Sequence, residues 1–495
     1  MKQIFIGIDH GGTNTTALVL DLNKGILSSS SVLMPKNTPK DGWVEHNPDD
    51  FLNTSIKACD QALKKSNLKW NDVNSIALAN QGETSMAWDD HNNVISKAIS
   101  WEDRRTEKIC SDLRKKNVDK LVRNKTGILL DPYFSASKFK WLLENDAQLL
   151  EITQNKHLKL GGTDTYVINK LTNGDVFATD RGTASRTSLL NIYNGEWDDE
   201  LLEAFNLDKN ILPNLKKTID DYGIVNHQNI PSSNIKITGD VVDAHASLFA
   251  HGCLDSTRIK ATYGTGAFIE INTGNEMLKP DGLLPIFIAW ELNNGIEYTI
   301  EGGVFSVGST IDWLFKNNLL KDVNSSSNFL ENIKDNNSVF MIPSFTGLSA
   351  PHWISNAKAI INGIGLDTSN EHIVKAAFNG IAFQCAEVIQ LLAKKQNQEN
   401  IEVYADGGPA KNNYLMQKQS DLLNMEVKVS KEKNMTAFGA ALIAALGANQ
   451  IQYSDLKNFR VEYETFSPRI SSDQREFEWD RWSKNLKITK DIYNN

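Results

Sequence analysis

Short apolar segments that end in glycine-rich turns recur along the chain. Residues 4–8 (IFIGI) are followed by residues 9–14 (DHGGTN), and residues 261–263 are followed by Gly264-Thr265-Gly266. Residues 401–405 lead in the same way into residues 406–408 (DGG). A short apolar run bounded by glycine predicts a buried strand that ends in a turn. The sequence therefore predicts three such strand–turn units, one early and two late.

Between these strands the apolar positions take the spacing of helices. The pattern predicts helices over residues 49–65, 135–143 and 164–171, and a strand over residues 73–79. Ser471 and Gln474 predict a capping box for a last helix, and we interpret its Phe477, Trp479 and Trp482 as a docking face. Residues 323–338 and 394–400 are polar and predict exposed connections. Alternating strands and helices are typical of α/β folds.

The length and charge of the chain limit its class. A chain of 495 residues exceeds what one core supports and predicts two domains. We expect the boundary between Gly252 and Lys260, which gives domains 1–252 and 253–495. Hydrophobic residues at 40% and charged residues at 23% are ordinary for a globular protein, and the net charge of −9 argues against a nucleic-acid or anionic-membrane partner.

The cysteines and apolar segments bear on the cellular compartment. Four scattered residues, Cys59, Cys110, Cys253 and Cys385, predict buried cytosolic thiols rather than a disulfide framework or zinc site. The N-terminal apolar run is too short for a signal peptide. The segment 438–448 falls short of the ~20 residues that a membrane helix needs. We therefore expect a cytoplasmic protein.

The first glycine turn has the chemistry of a phosphate site. Two adjacent glycines let backbone N–H groups approach a ligand, and the Thr13 hydroxyl adds a donor. The carboxylate of Asp9 stands where it could hold a metal ion, so the turn suits a phosphate with its magnesium. Taken alone, an ordinary hairpin turn explains these residues equally well. The recurrence of such turns favours a two-domain ATP-binding fold, although neither a P-loop nor a dinucleotide fingerprint is present.

Longer motifs resemble those of the FGGY carbohydrate kinases, and most closely the glycerol kinase branch of that family. Residues 133–145 (YFSASKFKWLLEN) fit the first family signature throughout, and residues 363–378 fit most of the second. At Asn379 the family usually has an acidic residue or Gln. Residues 42–46 (GWVEH), 184–187 (ASRT) and 343–348 (PSFTGL) also resemble glycerol kinase segments. The resemblance extends over nearly the whole chain.

This resemblance implies a fold and a reaction. The fold is the two-domain α/β ATPase fold of the actin/hexokinase/Hsp70 type (ribonuclease H-like), with the active site in the interdomain cleft. The reaction is ATP-dependent phosphorylation of a hydroxyl group of a small polyol or sugar, with Mg²⁺ bound by Asp9. The residues that the resemblance assigns to nucleotide binding are Gly12, Thr13, Asn14, Gly264, Thr265, Gly266, Gly308, Ile311, Asp312, Gly408 and Asn412.

The resemblance also points to an acceptor site. Carboxylates accept hydrogen bonds from the hydroxyls of a polyol, and aromatic rings pack on its C–H face. Asp243 is the implied general base. The residues implied to bind the acceptor are Glu83, Trp101, Tyr133, Asp243 and Phe268. From the residues alone, Trp101 and Tyr133 could be core aromatics, Asp243 an N-cap, and Gly308 and Ile311 helix-packing residues.

Two departures from the glycerol kinase pattern bear on the acceptor. Gly82 in Asn-Gln-Gly-Glu-Thr replaces the usual arginine, and Ala244 replaces the glutamine that usually follows the catalytic Asp. We interpret both as vacated space, which predicts an enlarged pocket and a four- or five-carbon acceptor. His10 replaces a glutamine and its role is open. His245 is interpreted as a packing or surface histidine.

Three functions follow in order of preference. The first is a glycerol-kinase-like enzyme with an enlarged acceptor pocket, and the second is glycerol kinase proper. The third, from another class, is an ATPase of the Hsp70/actin type without a small-molecule acceptor. For the kinase, the expected partner is a small polyol or sugar. A homo-oligomer is compatible with the sequence, which does not define a subunit number.

Overall fold

The computed structural model divides the chain into two compact units. Unit 1 comprises residues 1–252, 274–299 and 434–460, and unit 2 comprises residues 253–273, 300–433 and 461–495. The structure describes residues 3–145, 149, 157–232, 234–280, 282–321, 326–333, 338–396, 401–459 and 461–493. One limit between the units falls at the expected boundary after Gly252, but unit 1 also takes in two later segments. The contiguous domains 1–252 and 253–495 stay a prediction.

Strands and helices alternate along the chain as expected. The longer strands are Ile4–His10, Asn14–Asp21, Gly25–Leu33, Val73–Asn80, Met86–Asp89, Leu158–Gly161, Lys236–Val242, Arg258–Tyr263, Ala267–Gly274, Ile286–Leu292, Gly295–Val304, Glu402–Gly407, Val427–Ser430 and Tyr463–Phe466. The α-helices are Pro48–Lys65, Glu107–Lys115, Val118–Thr126, Ser135–Asn145, Thr163–Leu171, Arg181–Ser185, Asp199–Phe205, Asp243–Ala250, Gly308–Lys316, Ser326–Asn332, Asn370–Gln396, Asn413–Leu423, Met435–Gly447 and Ser472–Tyr493. The predicted helices over 49–65, 135–143 and 164–171 and the strand over 73–79 are confirmed.

The two predicted exposed connections have different outcomes. Within 323–338 the described part contains the helix Ser326–Asn332, whose Leu330 is buried. Residues 394–396 are the last turn of the helix Asn370–Gln396 rather than a connection. Residues 323–325, 334–337 and 397–400 lie outside the described part of the chain.

A five-stranded sheet forms the centre of unit 1. Its strand order is Lys236–Val242, Val73–Asn80, Ile4–His10, Asn14–Asp21 and Gly25–Leu33. The first three of these strands run parallel, and the last two are antiparallel additions. The carboxyl ends of parallel strands meet at one edge of a sheet, where open α/β sheets bind ligands.

The helix Met435–Gly447 lies against this sheet at very short range. A β-carbon at Gly7 would come within 1.9 Å of the Ala437 carbonyl oxygen, and one at Gly239 within 2.4 Å of Ile443 Cγ2. The Ser75 hydroxyl also donates to the Ala444 carbonyl oxygen at 3.1 Å. Distances this short leave no room for a side chain at residue 7 or residue 239. The glycines therefore allow a segment far along the chain to complete the core of unit 1.

Unit 2 has a mixed sheet built on the same principle. The strands Arg258–Tyr263, Glu402–Gly407 and Val427–Ser430 run parallel. The strand Ala267–Gly274 pairs antiparallel with Arg258–Tyr263, and Tyr463–Phe466 pairs antiparallel with Val427–Ser430. The ends of the parallel strands again place two turns side by side.

The last helix, Ser472–Tyr493, docks within unit 2. Ser471 Oγ accepts from the backbone N–H of Gln474 at 3.2 Å, which is the first half of the predicted capping box. The buried Trp482 ring stacks on Phe383 with ring centroids 4.9 Å apart, and Trp479 Nε1 donates to the Leu422 carbonyl oxygen. Both tryptophans confirm the docking face. Phe477 is 53% exposed, so its assignment to that face is wrong.

The cysteines and apolar helices are internal. All four cysteines are free and buried. Within the described residues, one helix, Asn370–Gln396, has the length and hydropathy of a membrane span, and 72% of its apolar window is buried inside the protein. The segment 438–448 corresponds to the shorter apolar helix Met435–Gly447. Burial of this extent is typical of a core helix.

Three buried carboxyl groups lie behind the parallel edge in unit 1: Asp164, Asp180 and Asp240. Asp240 Oδ1 accepts from Asn80 Nδ2 at 3.3 Å, and its Oδ2 accepts from the Asp180 backbone N–H at 3.1 Å. Burial raises the pKa of Asp180 to about 6, and burial with repulsion from its neighbours raises the pKa of Asp240 well above its usual range. The folded protein therefore holds protons in this cluster at a pH where an unfolded chain would release them.

This cluster predicts a pH dependence of stability. A raised carboxyl pKa contributes stability below the ordinary value of 3.8, and the contribution is lost as pH rises through about 6 for Asp180. The variant Asp164→Asn removes one repelling charge from both neighbours. Between pH 4.5 and pH 7.5, we expect the melting temperature of this variant to fall less than that of wild type. Each unit by which the substitution lowers the pKa of Asp180 or Asp240 corresponds to about 1.4 kcal/mol in the free energy of unfolding. Thermal melts at both pH values, with the exposed Asp41→Asn as control, test this. An identical pH dependence in Asp164→Asn and wild type would contradict it.

Candidate active site

The parallel edge of unit 1 gathers the predicted residues of that unit. Asp9 lies near the end of Ile4–His10, Glu83 follows Val73–Asn80, and Asp243 directly follows Lys236–Val242. The register pairs Asp9 with Ala79 and Asn80 with Val242, so the three strand ends are level. Three carboxylates from distant parts of the sequence thus reach one edge of the sheet.

The first phosphate loop is a tight turn at this edge. The Gly11 N–H donates to the Asn14 carbonyl oxygen at 3.0 Å, and the Met34 N–H donates to the Thr13 carbonyl oxygen at 2.8 Å. Thr13 and Asn14 are exposed, and Gly12 is half-buried. A β-carbon at Gly12 would lie 3.7 Å from Trp101 Nε1. The phosphate loop therefore borders one of the predicted acceptor residues.

His10 holds the strand beneath the loop against a helix. Its Nε2 lies 2.6 Å from Ser55 Oγ, and that hydroxyl donates to the Phe51 carbonyl oxygen. The histidine must therefore donate from Nε2, which fixes the neutral tautomer. Burial lowers the pKa of His10 to about 3. These contacts give His10 a packing role in the strand that carries Asp9.

Two aromatic rings and a buried lysine form one wall of the predicted acceptor site. The rings of Trp101 and Tyr133 meet edge to face with centroids 5.8 Å apart. Lys138 Nζ donates to the backbone carbonyl oxygens of Tyr133 and, at 3.3 Å, of Glu83. Burial lowers the pKa of Lys138 to about 8. Lys138 belongs to the first family signature, but sequence reasoning did not single it out as the link between two predicted acceptor residues.

Arg186 occupies the position expected to be empty. Its Nη1 forms an ion pair with Glu83 Oε1 at 2.8 Å, and both side chains are almost fully buried. A β-carbon at Gly82 would meet Arg186 Cδ at 2.8 Å. The expectation that Gly82 leaves vacated space is therefore wrong, because an arginine from another segment fills it. Sequence reasoning missed this role, and the only signal was the ASRT motif.

Asp243 is the first residue of the helix Asp243–Ala250, with Val242 at the cap position. Its Oδ1 accepts from the Ala244 backbone N–H at 2.6 Å, and both residues are half-buried. His245 is buried, and its Nε2 lies 3.3 Å from Arg186 Nη2, so the imidazole accepts from the guanidinium. Asp243 keeps enough exposure to meet a substrate, whereas His245 has the contacts of a packed residue.

In unit 2 the second phosphate loop lies beside the predicted adenosine loop. The strands Arg258–Tyr263 and Glu402–Gly407 pair in parallel, with Tyr263 opposite Gly407. Gly407 has φ of 96°, and a β-carbon there would come within 2.0 Å of the Tyr263 carbonyl oxygen. The turns that follow these strands, which carry Gly264 and Gly408, therefore begin side by side.

A helix N-terminus completes the nucleotide side. The Gly308 N–H donates to the Gly264 carbonyl oxygen at 3.0 Å, and a β-carbon at Gly308 would lie 2.6 Å from that oxygen. Ile311 is buried within the helix Gly308–Lys316, and Asp312 is exposed on it. The Ser309 N–H likewise donates to the Thr265 carbonyl oxygen at 3.2 Å, so the start of this helix is tied to the glycine loop. The structure brings these predicted residues together within unit 2.

Asn412 and Phe268 lie at the margins of the same loops. Asn412 Oδ1 caps the helix Asn413–Leu423 by accepting from the Leu415 N–H at 3.0 Å, and Gly408 is exposed. Phe268 is half-buried near the start of Ala267–Gly274, directly after the second phosphate loop. The position of Phe268 fits a residue near the transferred phosphate, and its contact with an acceptor stays a prediction.

Comparisons with known proteins agree with this geometry. The N-terminal domain pattern of the "FGGY family of carbohydrate kinases" matches residues 4–250, and the C-terminal domain pattern matches residues 259–448. The glycerol kinase of Dichelobacter nodosus is 34% identical over 99% of both chains, and glycerol kinase 1 of Thermotoga maritima is 34% identical over 96% of this chain and 97% of its own.

Solved structures give the same result. The crystal structure of Plasmodium falciparum glycerol kinase with ADP superposes with a TM-score of 0.91 at 30% identity, over 99% of this chain and 98% of its own. The xylulose kinase of Lactobacillus acidophilus shares the fold, with a TM-score of 0.86 at 20% identity over 99% of this chain and 98% of its own.

The fold and the strand-end site define an ATP-dependent sugar or polyol kinase with the actin/hexokinase-type ATPase fold. The chain belongs to the FGGY family of carbohydrate kinases. The curated relatives named above are glycerol kinases.

The link through Lys138 yields a prediction. In Lys138→Met, buried carbonyl groups lose their donor, which costs roughly 1–3 kcal/mol for each group. We expect a higher KM for the acceptor, a lower melting temperature and an unchanged KM for ATP. Steady-state kinetics and thermal melts measure these effects. The matched control is Lys140→Met on the same helix, whose lysine pairs with the exposed Glu144. Equal acceptor KM values in the two variants would contradict the role given to Lys138.

Proposed function

We propose that the enzyme phosphorylates a hydroxyl of a small polyol, with Asp243 as general base. The observation that carries this proposal is the acceptor wall of unit 1. Lys138 links the backbone of Glu83 to that of Tyr133, whose ring packs on Trp101. A carboxylate beside two aromatic rings suits a ligand with hydroxyls on one side and C–H groups on the other. Glycerol is the first candidate, since the similar proteins are named glycerol kinases.

The chemical step is a transfer between two oxygens. The hydroxyl oxygen of the acceptor bonds to the γ-phosphorus of ATP, and Asp243 takes the proton of that hydroxyl. The bond between the γ-phosphorus and the oxygen that bridges it to the β-phosphate breaks, which releases ADP. Phosphoryl transfer has a loose transition state, so positioning and charge neutralisation supply most of the acceleration. Asp243 is half-buried at a strand end and held by the Ala244 N–H, which orients its carboxylate.

Within unit 1, Gly12, Thr13 and Asn14 are the proposed donors to a phosphate of the nucleotide. Within unit 2, Gly264, Thr265 and Gly266 are the proposed donors. The residues proposed to bind the rest of the nucleotide are Gly308, Ile311, Asp312, Gly408 and Asn412. The Gly264 N–H donates to the Gly266 carbonyl oxygen and the Gly308 N–H donates to the Gly264 carbonyl oxygen, so these bonds fix the shape of the loop.

Asp9 is the proposed ligand of Mg²⁺. It is a half-buried carboxylate at a strand end next to the exposed Thr13 and Asn14, and hard oxygen donors of this kind fit the ion. When bound, Mg²⁺ neutralises phosphate charge. His10 remains neutral beside Asp9 and supports its strand through Ser55.

We also propose a cellular location and partners for the enzyme. The buried free cysteines support a cytoplasmic location. The proposed partners are ATP and a small polyol or sugar. The acceptor residues apart from Phe268 lie in domain 1–252, and the nucleotide residues lie mainly in domain 253–495. A homo-oligomer remains compatible with these assignments.

The role of Asp243 predicts the behaviour of Asp243→Asn. Loss of a positioned base removes ~10²–10⁴-fold of the rate, so kcat should fall by that factor while ATP still binds. Coupled ADP-release kinetics and calorimetric titration with an ATP analogue measure the two properties. Turnover near the wild-type rate would show that Asp243 is not the base.

A substrate screen tests the reaction itself. ADP release by the wild-type enzyme should depend on an added acceptor, measured across glycerol, tetritols, pentitols, ketoses and aldonates. ATP hydrolysis at the same rate without any acceptor would instead support the ATPase of the Hsp70/actin type.

A further inference from the structure

The side chain of Arg186 contacts three other side chains of unit 1, which are those of Glu83, His245 and Phe287. Its Nη1 pairs with Glu83 Oε1 at 2.8 Å, and its Nη2 donates to His245 Nε2 at 3.3 Å. The guanidinium carbon lies 4.0 Å from the centre of the Phe287 ring. The arginine side chain is 2% exposed. It is therefore a fixed, buried cation rather than a mobile surface residue.

Gly82 is the position that gives Arg186 its room. A β-carbon at residue 82 would approach Arg186 Cδ to 2.8 Å and two methyl groups of Val242 to 3.5 and 3.6 Å. Contacts under 3.0 Å do not occur for real β-carbons, so any larger residue at position 82 requires Arg186 to move. The glycine and the arginine thus form one arrangement, although they lie in different segments of the chain.

The ion pair leaves half of the Glu83 carboxylate for a ligand. Oε1 accepts from Arg186, and among the described residues no hydrogen bond reaches Oε2. A buried carboxylate without a cation would carry a large desolvation cost. Arg186 offsets that cost and anchors one oxygen of the carboxylate, because the buried guanidinium is itself held in place by Phe287 and His245. Glu83 is then pre-oriented to accept from one hydroxyl.

We propose that Arg186 is a positioning and specificity-determining residue that orients Glu83 and closes the pocket at Gly82, so that short polyols of glycerol size are preferred. The proposal rests on the proposed function. It replaces the expectation of an enlarged pocket, since the side of the pocket next to Gly82 is filled.

The test compares acceptor kinetics in wild type and four variants. They are Arg186→Ala, Gly82→Arg, the double variant of both, and Arg181→Ala as control, whose arginine pairs with Glu196 and Glu291 instead. For each, kcat and KM are measured with glycerol, a tetritol, a pentitol and ATP. The ratio of kcat/KM for tetritol to that for glycerol is the readout that a merely structural role would not move.

We expect Arg186→Ala to raise the KM for glycerol about ten- to a hundredfold, as for a lost charged hydrogen bond, with KM for ATP unchanged. The tetritol-to-glycerol ratio should rise, because space opens next to Gly82. Gly82→Arg alone should impair glycerol use by displacing Arg186. The double variant should recover glycerol use relative to Arg186→Ala, since the new arginine can enter the vacated space. Arg181→Ala should behave as wild type.

Two outcomes would overturn the proposal. One is a glycerol KM and tetritol-to-glycerol ratio in Arg186→Ala that match wild type, and the other is wild-type preference for longer acceptors. If Arg186→Ala does not fold, Arg186→Lys keeps the charge without the planar fork and should still raise the glycerol KM, and an unchanged KM there would also refute the role. A wild-type enzyme with no acceptor-dependent ADP release would refute the proposed function itself.

Discussion

The parallel pairing of Ile4–His10, Val73–Asn80 and Lys236–Val242 is the constraint on which the acceptor side depends. Parallel sheets require cover on both faces, and here the helix Met435–Gly447 supplies part of it at backbone contact distance. The contact is feasible only because glycines such as Gly7 stand at the crossing points. Level strand ends then present carboxylates from three distant segments at a single edge.

Buried charge is the second constraint at this edge. Glu83 and Arg186 are both desolvated, and Lys138 donates into carbonyl groups close by. Such groups stabilise a structure only when their partners are well oriented. The same contacts hold one oxygen of the Glu83 carboxylate in place, and a group held in this way pays little reorganisation cost when it meets a ligand. Stability and the geometry of the predicted acceptor site therefore depend on the same contacts.

In unit 2 the ends of two parallel strands carry glycine turns. ATP carries its charge on phosphates, and backbone N–H groups of glycine loops are able to meet such charge without a cationic side chain, which is the role predicted for these loops. The close approaches of Gly407 to Tyr263 and of Gly308 to Gly264 show why glycine is required at these turns. A protein with a net charge of −9 can thus bind an anion through local donors.

The sequence by itself determined the fold class, the family and the positions of the glycine turns at the strand ends. These follow from local patterns, such as the apolar run before the turn with Gly11 and Gly12, and from long co-linear motifs. Tertiary structure decided what lies next to what. Gly82 suggested an empty pocket because its neighbours in sequence are visible and its neighbour in space is not. Arg186 comes from about a hundred residues away and contacts Glu83 in the folded structure. Local sequence cannot encode such a contact, because side chains meet across strands according to register and packing.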